Sequence, residues 1–231
     1  MENAIEIKNL TKKYGKFVAL DDVNLTIGRG KIVGLLGPNG SGKTTLFKCL
    51  AGLLTFQGDV KIMGYPIGEN SKKVVSYLPE RTYLDLSMKV EDVFNLFMEF
   101  YEDFDVVRAY ELLNSLKVDK TAQLKTLSKV TKEKVQLIAV MARRADVYLL
   151  DEPIGGVDPA AREFIMNTIL TRIDDGGTII ISTHLIRDIE EILDEYIFIN
   201  GSKVFAHGDA KAVHEEGKTV DEIFREVFRC F

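Results

Sequence analysis

One run of eight residues constrains this chain more than any other: Gly37-Pro38-Asn39-Gly40-Ser41-Gly42-Lys43-Thr44, which matches G-x-x-x-x-G-K-[ST]. Ahead of it lies Lys31-Ile32-Val33-Gly34-Leu35-Leu36, a short apolar run without alternation, as expected of a strand buried on both faces. Behind it, Thr44 to Leu54 reads as a helix. A glycine-rich turn in this setting can point its amide N–H groups inward around an anion, and the helix behind it adds its N-terminal dipole. Lys43 then supplies a point charge to β and γ phosphates, and the Thr44 hydroxyl can ligate Mg²⁺. The strand-turn-helix context separates the run from a surface turn that happens to contain Gly and Lys.

The rest of the chain fits an α/β protein. Ile5 and Ile7 alternate with polar residues, as do Val23, Leu25 and Ile27, with turns expected at Asp21-Asp22 and Gly28-Arg29-Gly30. Residues 59–63 and 74–78 read as further strands. Between 88 and 144 the period becomes helical: Val93, Phe94, Phe97 and Phe100-Tyr101, then Tyr110, Leu112-Leu113 and Leu116. Strands at 146–150 and 178–182 then alternate with helices near 159–173 and 185–193. Two short strands at 195–199 and 203–206 suit a hairpin turning at Asn200-Gly201, and residues 217–231 suit an amphipathic C-terminal helix. Strands alternating with helices imply a mostly parallel sheet, here with an N-terminal antiparallel part and a helical insertion. One domain over 1–231 is expected, with a core of 1–87 and 145–216 and a helical subdomain of 88–144.

Composition sets the boundaries. With 46% hydrophobic and 28% charged residues in 231, the chain is neither disordered nor collagen-like and is large enough to bury a core. A net charge of −5 gives no general pull on nucleic acid. Cys49 and Cys230 are too few for a disulfide framework, so a reducing compartment is expected. The first residues lack the layout of a secretory leader, and no apolar stretch approaches the ~20 residues of a membrane helix.

Val147-Tyr148-Leu149-Leu150-Asp151-Glu152 is an apolar strand ending in two acids. At the C-terminal edge of a sheet such acids lie where ligands bind. Asp151 would hold Mg²⁺, and Glu152 would stand beside an attacking water as base or polariser. Asp151-Glu152-Pro153 after this strand, with Ser182-Thr183-His184 downstream, resembles the ATPase subunit of ABC transporters, of the P-loop NTPase fold.

The resemblance runs from Tyr14 to the switch region and the hairpin after it. It implies ATP and Mg²⁺ as cofactors. ATP would be held by Tyr14, stacked on adenine, and by Gly37, Pro38, Asn39, Gly40, Ser41, Gly42, Lys43, Thr44 and Thr45. Thr44, Glu80 and Asp151 would be the metal ligands, and Lys43, Glu152 and His184 the catalytic set, with His184 as the switch histidine at the γ-phosphate. Asp158, in Gly155-Gly156-Val157-Asp158-Pro159, resembles the D-loop acid that meets the opposing subunit; it also suits a helix N-cap before Pro159. His207 and His214 match no motif and are expected on the surface.

Two positions depart from the family. Glu80, in Ser76-Tyr77-Leu78-Pro79-Glu80, stands where the Q-loop usually has glutamine; a carboxylate can also ligate Mg²⁺. The signature Leu-Ser-Gly-Gly-Gln is replaced by Leu127-Ser128-Lys129-Val130-Thr131. Ser128 keeps its hydroxyl and can cap a helix, but bulky Val130 opposes close backbone approach, and Lys129 offers a point charge to phosphate instead.

The implied function is a motor that dimerises on ATP and drives a separate integral membrane permease. The chain would thus be cytoplasmic and peripheral on the inner face of the membrane. The form of the Q-loop and signature is similar to export ATPases of the drug, peptide-antibiotic and lipid type. The second ATPase subunit is taken as another copy of this chain, with a heterodimer the alternative, and no nucleic-acid partner is expected. A soluble ABC-type ATPase acting on DNA or ribosomes remains the alternative function. A GTPase would require the absent Asn-Lys-x-Asp string.

Overall fold

The unbroken apolar runs form the middle of a six-stranded sheet. The computed structural model describes residues 3–155 and 159–228. The first part of the chain comprises β1 (Asn3–Tyr14), β2 (Phe17–Gly28), β3 (Ile32–Leu36), α1 (Lys43–Leu50), β4 (Gln57–Ile62) and β5 (Tyr65–Pro66). Next come α2 (Glu69–Val74), β6 (Val75–Leu78), α3 (Val90–Phe100), α4 (Val106–Ser115) and α5 (Lys129–Met141). The last part holds β7 (Val147–Asp151), α6 (Pro159–Asp174), β8 (Thr178–Thr183), β9 (Glu195–Asn200), β10 (Lys203–Asp209), α7 (Ala210–Glu215) and α8 (Val220–Phe228).

The larger sheet has the order β10-β9-β3-β8-β7-β6; all neighbours are parallel except the β9–β10 pair. Successive residues of β3, β7 and β8 point into opposite apolar clusters. Ile32, Tyr148, Leu150, Ile179 and Ile181 enter one, and Val33, Leu35, Val147, Leu149 and Ile180 the other. Burial on both faces removes any need for polar alternation, which is why these runs read as continuous. The smaller antiparallel sheet, β2-β1-β4-β5, closes the second cluster with Ile5, Ile7, Val23 and Leu25.

A third apolar cluster is drawn chiefly from the helical insertion, including Val90, Val93, Phe94, Phe97, Leu113 and Ile138. Of its aromatic residues, Phe94 and Phe97 are core, while Phe100 is exposed. The four strands β6, β7, β3 and β8 end together, so their C-terminal ends deliver Pro79-Glu80, Glu152, Gly37 and His184 to one edge.

Several sequence expectations shift in detail. Asp21-Asp22 is not a turn; it lies inside β2, where Asp22 takes a φ of 52° at a register irregularity. Tyr14 and Phe17 pair instead, so the chain reverses at Gly15-Lys16. The helix expected near 185–193 is two short 3₁₀ turns, Ile186–Asp188 and Glu190–Ile192. Ile186, Ile189 and Ile192 recur every three residues, which suits three residues per turn better than 3.6. The first helix stops at Leu50, where Gly52, with a φ of 67°, ends it. The β9–β10 turn is Gly201-Ser202, one residue later than expected. Asp209 caps the unforeseen α7, accepting from the N–H groups of Lys211 and Ala212.

Candidate active site

Of the expected nucleotide-binding loop, Asn39 to Thr45 line a cleft of about 610 Å³, whereas Gly37 and Pro38 are not among its lining residues. The loop's glycines are there for space and conformation. A Cβ on Gly37 would come within 2.2 Å of the Ile199 carbonyl oxygen, and one on Gly42, whose φ is 113°, within 2.7 Å of that of Ala19. Only glycine lets the loop press this closely against β9 and β2. The Lys43 ammonium donates to the carbonyls of Gly37 at 2.7 Å and Pro38 at 3.2 Å. Burial lowers its pKa, and the carboxylates of Glu152, Asp151 and Glu80 oppose that shift. The Ser41 hydroxyl is buried with no partner among the described residues.

Across the cleft stand the acids. Asp151 is buried at the end of β7, and the Ser182 hydroxyl donates to its Oδ1 at 2.5 Å. Its other oxygen, Oδ2, is buried and unpartnered among the described residues. Burial raises the Asp151 pKa, while Ser182 and Thr44 pull it down. Burial also raises that of the neighbouring Tyr77 phenol, and the Asp151 carboxylate adds to the effect. A buried carboxylate with one free oxygen, the Thr44 hydroxyl beside it and Glu80 nearby make an all-oxygen donor set of the kind Mg²⁺ takes. No group of three or more His, Cys, Asp and Glu comes together among the described residues.

Glu152 has a φ of 50°, outside the usual range for a residue with a Cβ. The strain persists because its N–H is held by the carbonyl and hydroxyl oxygens of Ser182, at 3.0 and 3.2 Å. Its side chain consequently swings out of the strand, and Oε2 lies 3.0 Å from Nδ1 of His184. Both side chains line the cleft. A carboxylate oriented by an imidazole beside a phosphate cradle can take a proton from a water there.

Other expected residues are placed differently. Tyr14 is not among the cleft-lining residues; its ring carries the Lys12 ammonium 5.2 Å from its centroid. Its strand partner Phe17, 61% exposed, lines the cleft instead. Ser128 caps α5, accepting from the Thr131 N–H at 3.1 Å. Lys129, with 88% of its side chain exposed, pairs with Glu133, and Val130 packs on the core. Both Lys129 and Val130 line the same cleft. Asp158 lies outside the described residues. His207 is bonded to Glu195 at 2.8 Å, and His214 is exposed.

Sequence reasoning missed Phe17, Ser182 and Gln136. Gln136 lines the cleft with its Oε1 buried and unpartnered among the described residues. All three needed the fold: Phe17 and Tyr14 are paired across the first hairpin, and only Phe17 lines the cleft.

Residues 20–155 match the ABC transporter family. The chain is 31% identical to the SkfA peptide export ATP-binding protein of Bacillus subtilis, with 96% of this chain and 95% of that one covered. It is 30% identical to a manganese transport system ATP-binding protein of Listeria innocua, over 93% of both chains. In structure it is similar to the ATP-binding subunit of an ABC transporter, with a TM-score of 0.88 at 27% identity, covering 96% of this chain and 98% of that one. With its phosphate cradle, buried Asp151 and oriented Glu152, the chain belongs to the ABC transporter ATP-binding proteins, the ATPases that hydrolyse ATP to power transport.

Proposed function

We propose that this chain is a Mg²⁺-dependent motor subunit that dimerises on ATP and drives a separate integral membrane permease, in the direction of export. The observation that carries the reading is the strained Glu152, turned into the cleft and bonded to His184. In the proposed step Glu152 takes the proton of a water whose oxygen attacks the γ-phosphorus. The bond from that phosphorus to the β–γ bridging oxygen breaks, and ADP leaves with the electron pair. Lys43 and the loop amides hold the phosphate charge, and His184 keeps the Glu152 carboxylate aimed. Thr44, Asp151 and Glu80 would hold Mg²⁺, which supplies charge neutralisation on the β and γ phosphates.

Dimerisation is supported by Lys129 and Val130, which line the same cleft as the phosphate loop. A second copy of this chain is the partner we favour. Lys129 replaces a backbone contact with a point charge on the facing nucleotide. Lys129→Ala is accordingly expected to slow turnover about tenfold, the scale of one charge-assisted hydrogen bond. An unchanged rate removes Lys129 from the site.

A separate permease is supported by the absence, among the described residues, of any helix able to cross a membrane. It is also supported by a groove of about 940 Å³ lined by Leu53, Tyr83 and Tyr101 with Lys48, Lys72 and Arg81. This groove shares Glu80 and Thr44 with the nucleotide cleft, so a partner seated in it would sense the nucleotide. The chain would then lie peripherally on the cytoplasmic face of the membrane. Export is supported by the peptide-export relative. The test is affinity purification of the tagged chain from detergent-solubilised membranes of its own cell. Stoichiometric recovery of an integral membrane protein is expected; recovery of only ribosomes or DNA overturns the transport reading.

A further inference from the structure

The turn joining β9 to β10 is Gly201-Ser202, with φ values of 51° and 71°. Glycine adopts this left-handed conformation freely, whereas serine does so at a cost. The Ser202 side chain has a use that glycine would forfeit. Its hydroxyl donates to the Val18 carbonyl at 2.7 Å. Its own carbonyl accepts from the Asp21 N–H at 2.8 Å, and the next residue, Lys203, pairs with Asp21 at 3.1 Å. All three contacts land on one short stretch of β2.

That stretch is where β1 and β2 lose register. Lys13 faces Val18 and Lys12 faces Leu20, which leaves Ala19 without an opposite residue. A bulge of this kind interrupts the ladder that would otherwise fix it, so its position depends on what holds it from outside. The bulge matters to the cleft. Ala19 lines it and sets its carbonyl against Gly42 of the phosphate loop. Phe17, next to Val18, lines it too and is largely exposed. An exposed aromatic ring at the rim of a phosphate cradle is a platform on which a nucleobase can stack. The same hairpin also backs the cradle itself, since the Ile199 carbonyl of β9 abuts Gly37. One hairpin therefore holds both the phosphate side and the base side of the cleft.

We propose that Ser202 is a positioning residue for nucleotide binding: through Val18 and Asp21 it fixes the β2 bulge, so that Phe17 stands over the phosphate loop and takes the base. The inference rests on the nucleotide-site reading and adds a distant residue that governs affinity for the base more than for the phosphates, since the phosphate loop is also backed by the Ile199 carbonyl at Gly37.

The test is calorimetric binding of Mg²⁺-ATP and of Mg²⁺ with inorganic tripolyphosphate, which has the phosphates but no base. Ser202→Gly removes the hydroxyl while easing the backbone, so the turn is kept. It is expected to weaken ATP binding about threefold to tenfold, the range of one lost hydrogen bond, and to weaken tripolyphosphate binding clearly less. In a Phe17→Ala background the same change is expected to have no further effect on ATP. Equal loss for both ligands, no loss for ATP, or the full loss recurring without Phe17 each overturns the proposal. Wild-type protein that binds ATP no more tightly than tripolyphosphate overturns the base site itself. Wild-type protein that binds neither overturns the nucleotide-site reading beneath it.

Discussion

In the proposed mechanism Glu152 and His184, 3.0 Å apart, act as one unit, because the imidazole would have its effect through the carboxylate it orients. Glu152→Gln should lower turnover by about 10²–10⁴-fold, the usual contribution of a general base, while ATP binding persists. His184→Ala should lower turnover as well, yet add nothing in the Glu152→Gln background. Phosphate-release rates of the two single variants and the double variant check this, and multiplying effects would show independent roles. At this scale the sequence told most about groups bound to a motif. Lys43, Thr44, Asp151 and Glu152 could be named because a strand-end acid and a glycine loop are local patterns. Phe17 could not, because the choice between it and Tyr14 depends on which way the ends of a hairpin face. Ser182 could not either, since its bond to Asp151 joins strands β7 and β8, which only the sheet brings together.

Among the elements, the helical insertion is tied to the sheet by several side chains, of which one is a buried arginine. Arg143, buried just after α5, binds both oxygens of Asp103 at 3.0 and 3.1 Å and donates to the carbonyls of Lys73 and Val75. The Tyr101 ring lies 3.8 Å from its guanidinium. Val75 opens β6, the strand that ends just before Pro79-Glu80, so this arginine links the insertion to the segment carrying a proposed metal ligand. Arg143→Ala strands two carbonyls and a partly buried carboxylate. It should cost about 3 kcal/mol, the low end for a broken buried pair, because Asp103 retains some water contact. The urea midpoint measures this, and a loss under about 0.5 kcal/mol, the level of an ordinary surface substitution, would show that the link carries no load. Element type was legible wherever burial was one-sided or complete: the alternation of β1, the unbroken runs of β3, β7 and β8, and the helical period of α3. It failed where turn residues serve another purpose. Asp22 supplies a positive φ to a bulge and not to a reversal, and the isoleucines after His184 follow a three-residue period easily taken for a helical one.

For the whole molecule, the phosphate loop and Lys129-Val130 line one and the same cleft. The sequence alone disclosed the family through ordered motifs, because the spacing of the phosphate loop, the acids and the histidine survives without knowledge of the fold. It could not disclose that the altered signature and the phosphate loop border one groove, since that depends on how α5 sits against the sheet. If two copies complete each other's sites across this cleft, turnover requires an encounter between them. The direct test is the rate of phosphate release per subunit, at saturating Mg²⁺-ATP, across a wide range of protein concentration. The account predicts a per-subunit rate that climbs with concentration, levels off as dimers form, and is lost in Glu152→Gln at every concentration. A per-subunit rate that stays constant throughout, or one that Glu152→Gln leaves intact, would contradict it.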